Sequence, residues 1–372
     1  MRRFALVLAI LFGQQTALAG TQCISGTASM QQAITNEAGR TNGTSEFRFR
    51  ATTFTTDFVF QPSVAAGQRT LILDGGWNSG CTARIAGARS TVPKVILRNA
   101  YPNTITTPDI TIRGIETTFL QAFPDANAGS TILRENRINA GTGVIDASGT
   151  PFVVERNQVL GGELFLSTRT GIGDLRITNN EFRDVARLWI KSGTTNGNVL
   201  IRNNTVLFRN ISGSQPIGTA FNYVEVLVTA LPSALDISNN LLGRSSTFDV
   251  FPNISTGIAV VPPDGFTLAG RLSIRGNALQ IAGNGIVLSS GEAEAQLQSP
   301  GTRNLTFASL PFNGSQNTPY LLPTGRFVGI NAGMATALVD DTVDLRGQPR
   351  HIGAGTDIGA HESDVLFANS IE

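Results

Sequence analysis

One short phrase recurs along this chain and restricts its fold more than any other feature. It reads apolar, x, apolar, x, x, Asn, x, apolar. It runs from Thr131 to Ile138 (with Thr in the first slot), Phe152 to Val159, Leu175 to Phe182, Val199 to Val206, Leu235 to Leu242 and Leu272 to Leu279. The asparagines are Asn136, Asn157, Asn180, Asn204, Asn240 and Asn277, spaced 21, 23, 24, 36 and 37 residues apart. Self-similarity near this period marks a stacked array.

Further apolar pieces sit between the phrases: Gly143-Val-Ile, Leu164-Phe-Leu, Leu188-Trp-Ile, Ile258-Ala-Val-Val and Ile286-Val-Leu. Each coil therefore has at least two short strands joined by polar corners rich in Gly, Asn and Ser. Helical periodicity is missing between them, which disfavours α/β units and leucine-rich horseshoes. A propeller blade needs about 40 residues, and three of the spacings are near half that. The expected fold is all-β: a single-stranded right-handed parallel β-helix, a solenoid, with an N-terminal helical cap and roughly ten to twelve coils. The handedness follows the general chirality of parallel crossovers. The repeated Asn suits a sharp corner, because Asn tolerates left-handed backbone and its side chain can hydrogen-bond from coil to coil. Asn203 and Asn210 also stand in Asn-x-Ser/Thr sequons, a competing reading that burial in a ladder would disfavour. The two long spacings imply inserted loops, with candidates at Ile211 to Thr219 and at Phe251 to Gly257 or Pro262 to Leu268.

The ends fit an open stack that has to protect its edges. Met30, Ala33, Ile34 and Ala38 form a helical apolar stripe within Ala28 to Ala38, with Ser29 near its start. Strands are expected at Glu46 to Arg50 and Thr70 to Leu73. Arg2 and Arg3, the apolar run Phe4 to Phe12 and Ala17-Leu18-Ala19 make the three parts of a secretory signal peptide. The run is too short for a bilayer, which needs about 20 residues. The expected division is 1–19 signal peptide, 20–69 cap and first strands, 70–322 coils and 323–372 closing segment, in a secreted or periplasmic product without membrane insertion after cleavage. In such a compartment Cys23 and Cys81, the 2 cysteines of the chain, are expected to pair. A formal net charge of +1 with 15% charged residues argues against a nucleic-acid partner. Two cysteines and the distant His351 and His361 make no metal set, and a monomer is expected.

The tail reads Ile330-Asn-Ala-Gly333, Val343-Asp-Leu-Arg-Gly-Gln-Pro-Arg350 and Thr356-Asp-Ile-Gly-Ala-His-Glu362, and the N-terminal half carries Leu73-Asp-Gly-Gly-Trp-Asn-Ser-Gly-Cys81-Thr-Ala-Arg84. In these residues the chain resembles the choice-of-anchor Q domain proteins, parallel β-helix proteins akin to the pectate-lyase-like superfamily. His361 departs from the pattern, standing where an aromatic is common. The resemblance implies a fold and little about activity.

Enzymes of this fold class use clustered carboxylates on the outer face, with calcium in some cases and an Arg or Lys base. Two positions before each repeated Asn stand Arg134, Glu155, Thr178, Arg202, Ser238 and Arg275, which read as solvated charge, with Arg134–Glu155 a surface ion pair. Asp340, Asp341, Asp344, Asp357 and Glu362 lie in the tail motif and read as turn caps. In the second strand, inward Leu164 and Leu166 would turn Phe165 outward, and inward Leu188 and Ile190 would turn Trp189 outward. Lys191 follows, and the next coil is placed to bring Tyr223 and Glu225 alongside. An outward aromatic strip flanked by charge can stack on sugar rings, unless the loop Ile211 to Thr219 folds over it. The sequence thus points to a non-catalytic carbohydrate-interacting extracellular module with polysaccharide as partner. It leaves open a pectate-lyase-like lyase or glycoside hydrolase, for which alone calcium would be a cofactor, and a structural or adhesive surface protein.

Overall fold

In a computed structural model, the described residues are 20–40, 42–61, 69–98, 109–122, 129–168, 171–208, 222–244, 256–262, 264–280, 295–296, 299–307, 329–334, 342–350 and 356–362. The signal-peptide segment 1–19 lies outside them, as do His351, Asp340, Asp341, Asn210 and the whole segment 209–221. Within them no helix is long and apolar enough to cross a membrane.

The chain is an all-β parallel β-helix. Its first face is a 10-stranded parallel sheet that begins at Gly20–Ile24, continues through Gly43–Arg50 and Arg69–Trp77, and ends at Leu272–Arg275. The recurring phrase sets its register: Thr131 pairs with Phe152, Phe152 with Leu175, Leu175 with Val199, Val199 with Leu235 and Leu235 with Leu272. Apolar slots therefore stack on apolar slots, and the column Phe152, Leu175, Val199, Leu235 is fully buried at 0% exposure.

Each full coil has three faces. The second starts right after the repeated Asn and runs from Ser90–Thr91 to Leu305–Phe307; the third runs from Phe58–Phe60 to Thr256–Val261. Sequence reading finds at least two strands per coil, the first and third faces; of the second face it catches only the last apolar slot of the recurring phrase, and two strands run on from the second face into the third. Arg137–Ser148 breaks register at Gly141 and Gln158–Ser167 turns at Gly161 and Gly162, both with positive φ. A Cβ on Gly161 would stand 2.4 Å from the Gly141 carbonyl oxygen, so only glycine allows these coils to turn there in contact. The first long Asn spacing places its extra residues at this same corner, within 209–221; the second divides them between 245–255 at this corner and 262–271 before Leu272–Arg275, and 209–221 and 245–255 lie outside the described residues.

The asparagines bond in sequence along the stack. Asn136 Nδ2 donates to Asn157 Oδ1 at 3.0 Å, and the same link joins Asn157 to Asn180, Asn180 to Asn204, Asn204 to Asn240 and Asn240 to Asn277. Each Oδ1 also accepts the backbone N–H of the preceding rung. Asn304 adds a rung beyond Asn277. At the other end Ile115 N donates to Asn136 Oδ1 at 3.1 Å. The left-handed residue is not the ladder Asn but the one before it: Gly114, Glu135, Arg156, Asn179, Asn203, Asn239, Gly276 and Arg303 all have positive φ. The corner backbone turns at that residue, which frees the next side chain to point inward and bond.

The cap is a helix, Thr27–Ala38, packed on Gly20–Ile24 and Phe58–Phe60. Ser29 closes its first turn by donating to Gly26 O and accepting from the Ser25 and Gly26 N–H groups. Its buried positions are Met30, Ala33 and Glu37, so a carboxylate completes the stripe where Ala38 was expected. Glu37 is fully buried; Arg40 Nε lies 2.7 Å away, Arg69 3.8 Å away, and Ser45 Oγ also donates to it. Burial pushes the Arg69 guanidinium pKa below its ordinary value, against the opposing pull of Glu37. Beneath the helix the first coils are filled by Phe47, Phe49, Phe54, Phe58 and Phe60, with edge-to-face ring pairs at 5.3 to 5.6 Å. A disulfide joins Cys23 to Cys81, Cα atoms 5.7 Å apart, tying the first strand to the loop after Arg69–Trp77.

The tail lies along the ladder corner, on the outward side of the left-handed residues. Asn239 exchanges two hydrogen bonds with the Met334 backbone, both 2.8 Å. Arg350, 1% exposed, donates to Asn179 Oδ1 at 2.6 Å and to Gly359 O at 2.6 Å. His361 contacts Glu181, a pairing of residues 180 apart that no local pattern announces. Asp344 accepts the N–H groups of Arg346, Gln348 and Glu362, and Asp357 accepts Asn331 N–H. These carboxylates act on backbone amides within the tail.

Candidate functional site

Strand alternation on the third face decides which side chains look outward. Leu164, Leu166, Leu188 and Ile190 are buried at 1% exposure or less, so Phe165 and Trp189 between them face out and are half-buried. Parallel register makes columns of the outward residues. Gln121, Asp146, Phe165, Trp189, Glu225 and Ala259 follow one another in successive coils. Flanking this column are Val144, Glu163 and Arg187 on one side and Ser148, Ser167, Lys191 and Leu227 on the other.

The two rings meet edge to face, centroids 5.6 Å apart with an interplanar angle of 62°, the arrangement aromatic quadrupoles favour. Trp189 Nε1 donates to Glu225 Oε1 at 3.2 Å, and Arg187 donates to Glu225 Oε2 at 2.5 Å. Glu225 is thus a positioning group: it fixes the indole plane and spends its charge on Arg187. Arg187 was not singled out from the sequence, although it lies two residues before Trp189 and so must share its face. Lys191 is outward, one column over from the rings, half-buried. Tyr223 lies in Asn222–Val228, where its backbone pairs with Gly257; its side chain is outside the described residues, as is the loop 211–219.

The other charged column, on the first face, is drawn into ion pairs. Arg134 NH2 lies 2.7 Å from Glu155, whose side chain is only 7% exposed. Arg202 bonds to Asp236 and Arg275 lies 3.5 Å from the same carboxylate. Among the described residues no group of three or more His, Cys, Asp or Glu side chains is placed to hold a metal ion.

Taken together, the third face presents two half-buried aromatic side chains with Lys191, Glu163 and Asp146 on the same side of the sheet. Compared with protein-family models, curated proteins and solved structures, the chain matches none of them.

Proposed function

We propose that this is an extracellular carbohydrate-interacting module that binds polysaccharide on the third face without cleaving it. The observation that carries the reading is the half-exposed Phe165–Trp189 pair, held by Glu225 on a flat parallel sheet. Two fixed rings offer apolar contact at little entropic cost. The neighbouring carboxylate is neutralised by Arg187, which suits a platform better than a general acid. Secretion agrees with the leader-like segment and the disulfide, which persists in oxidising compartments. The resemblance to choice-of-anchor Q domain proteins supports the same setting.

The test is retention of the mature protein on insoluble cellulose, xylan, chitin and calcium-gelled polygalacturonate, with Trp189→Ala and Phe165→Ala alongside. At least one glycan should retain the protein, and each variant should lose retention by about tenfold while its circular dichroism stays that of the folded parent. Retention that survives both substitutions refutes the platform. New reducing ends or unsaturated products from any glycan refute the non-catalytic reading in favour of a lyase or hydrolase.

A further inference from the structure

On a different part of the solenoid the loop after the disulfide faces the tail. A cleft of about 360 Å³ opens there. One wall is the loop Arg84 to Arg89, the other the tail turn Leu345 to Gly347, and the floor is the ladder corner at Gly114, Glu135 and Arg156. Four guanidinium groups line it, those of Arg84, Arg89, Arg156 and Arg346, against the single carboxylate of Glu135.

The surrounding carboxylates do not balance this charge. Glu135 is shared by Arg84 at 3.2 Å and Arg156 at 2.8 Å. Asp74 is shared by Arg84 at 3.3 Å and Arg113 at 2.7 Å. Glu155 is shared by Arg134 at 2.7 Å and Arg156 at 3.6 Å. Asp344 serves Arg346 at 3.0 Å. Arg89 donates to the Glu135 carbonyl at 3.1 Å and, among the described residues, has no carboxylate within ion-pair distance. Six arginines thus rest on four carboxylates; of the four that line the cleft, Arg89 on the loop wall is the one without a carboxylate among the described residues, while Arg346 on the tail wall is held by Asp344 and by the Glu362 carbonyl. The packing favours this layout. Gly114 has positive φ, and a Cβ there would meet Arg84 NH2 at 2.6 Å, so the glycine lets that guanidinium lie against the corner. Both walls are anchored, one by Cys23–Cys81 and the other by Asp344.

We infer that this cleft binds an oxyanion-bearing small molecule about the size of one sugar, with Arg89 and Arg346 supplying charge-assisted hydrogen bonds from opposite walls. Guanidinium forks match carboxylate, sulfate and phosphate oxygens alike, and the volume lies within the range of small-molecule sites. The bound anion supplies the counter-charge that Arg89 lacks. The site is independent of the aromatic platform, and Trp189→Ala leaves it unchanged.

The experiment is calorimetric titration of the oxidised mature protein at low ionic strength with sodium glucuronate, glucose 6-phosphate, inorganic phosphate, inorganic sulfate and glucose. At least one anion should bind and glucose should not. Arg89→Gln should weaken binding about tenfold or more, while Arg89→Lys, which keeps the charge but not the fork, should weaken it less. Arg346→Gln, on the other wall, should act in the same direction, and circular dichroism checks that each variant is folded. Tighter binding of a charged sugar assigns the source as an acidic or phosphorylated saccharide; equal binding of the inorganic ions assigns a free oxyanion. Absence of heat with every anion up to about 10 mM, equal binding of glucose, or unchanged affinity in folded Arg89→Gln and Arg346→Gln overturns the inference.

Discussion

Replacing Asn180 by alanine removes the middle of the ladder, and the cost can be worked from its partners. The side chain is 0% exposed. Its Oδ1 accepts from Asn157 N at 2.9 Å and from Asn157 Nδ2 at 3.1 Å; its Nδ2 donates to Val154 O at 2.8 Å and to Asn204 Oδ1 at 3.0 Å. Not all four losses weigh equally. Asn157 Nδ2 keeps Leu133 O and Glu155 O, and Asn204 Oδ1 keeps the Asn180 N–H. The Asn157 N–H is left buried without that acceptor, at about 1–3 kcal/mol, and the Val154 carbonyl loses its side-chain donor, at about 1 kcal/mol. With the small void added, Asn180→Ala should cost about 3–4 kcal/mol. Aspartate keeps the acceptor oxygen but turns a second oxygen toward Val154 O and Asn204 Oδ1, and should cost at least as much. Asn304→Ala, at the partly buried last rung, should cost about 1–2 kcal/mol. Equilibrium urea unfolding, fitted for midpoint and slope, measures each. If Asn180→Ala unfolds within about 0.5 kcal/mol of the exposed helix control Asn36→Ala, the ladder does not hold the coils and the reasoning fails.

Three further outcomes follow from the same contacts. Opening the Cys23–Cys81 bridge by Cys81→Ser should lower stability by about 4 kcal/mol, the chain-entropy value for a 58-residue separation, read as a melting-temperature drop that dithiothreitol reproduces in the parent but not in the variant. Glu37→Gln should cost about 3–5 kcal/mol by leaving buried Arg69 without its counter-charge, and denaturant midpoints should show part of that loss restored in the double variant with Arg69→Met. Gly75→Ala should leave little soluble protein, because its Cβ would fall 2.0 Å from the Gly114 carbonyl oxygen, backbone that cannot move aside; yield and circular dichroism report it.

The fold was legible because its main determinant is local and repeated. One phrase carries the first-face strand, the corner and the ladder Asn together, so its spacing gives the coil length. What stayed hidden is either irregular or remote. Asn304 was missed because the segment before it is the turn Pro300–Thr302, with no apolar slots to announce a strand. The second face was not separated as a strand of its own because it follows the ladder Asn directly and, at Gly141, Gly161 and Gly162, runs on into the third. The outward position of Phe165 and Trp189 could be read from alternation, but their hold on each other through Glu225 depends on register across coils. The arginine cleft joins residues 84–89, 114, 135, 156 and 345–347, and nothing in a linear pattern brings those segments together.

The tail changes how such a stack can come apart. In a plain solenoid each repeat touches only its neighbours, so an end can fray while the middle persists. Here one short stretch of chain is fastened at Asn179, at Asn203 and again at Asn239, like a splint laid across successive turns. Peeling the last coils away therefore means lifting the splint from the central ones as well, and a structure assembled from near-independent rungs loses its freedom to open one rung at a time.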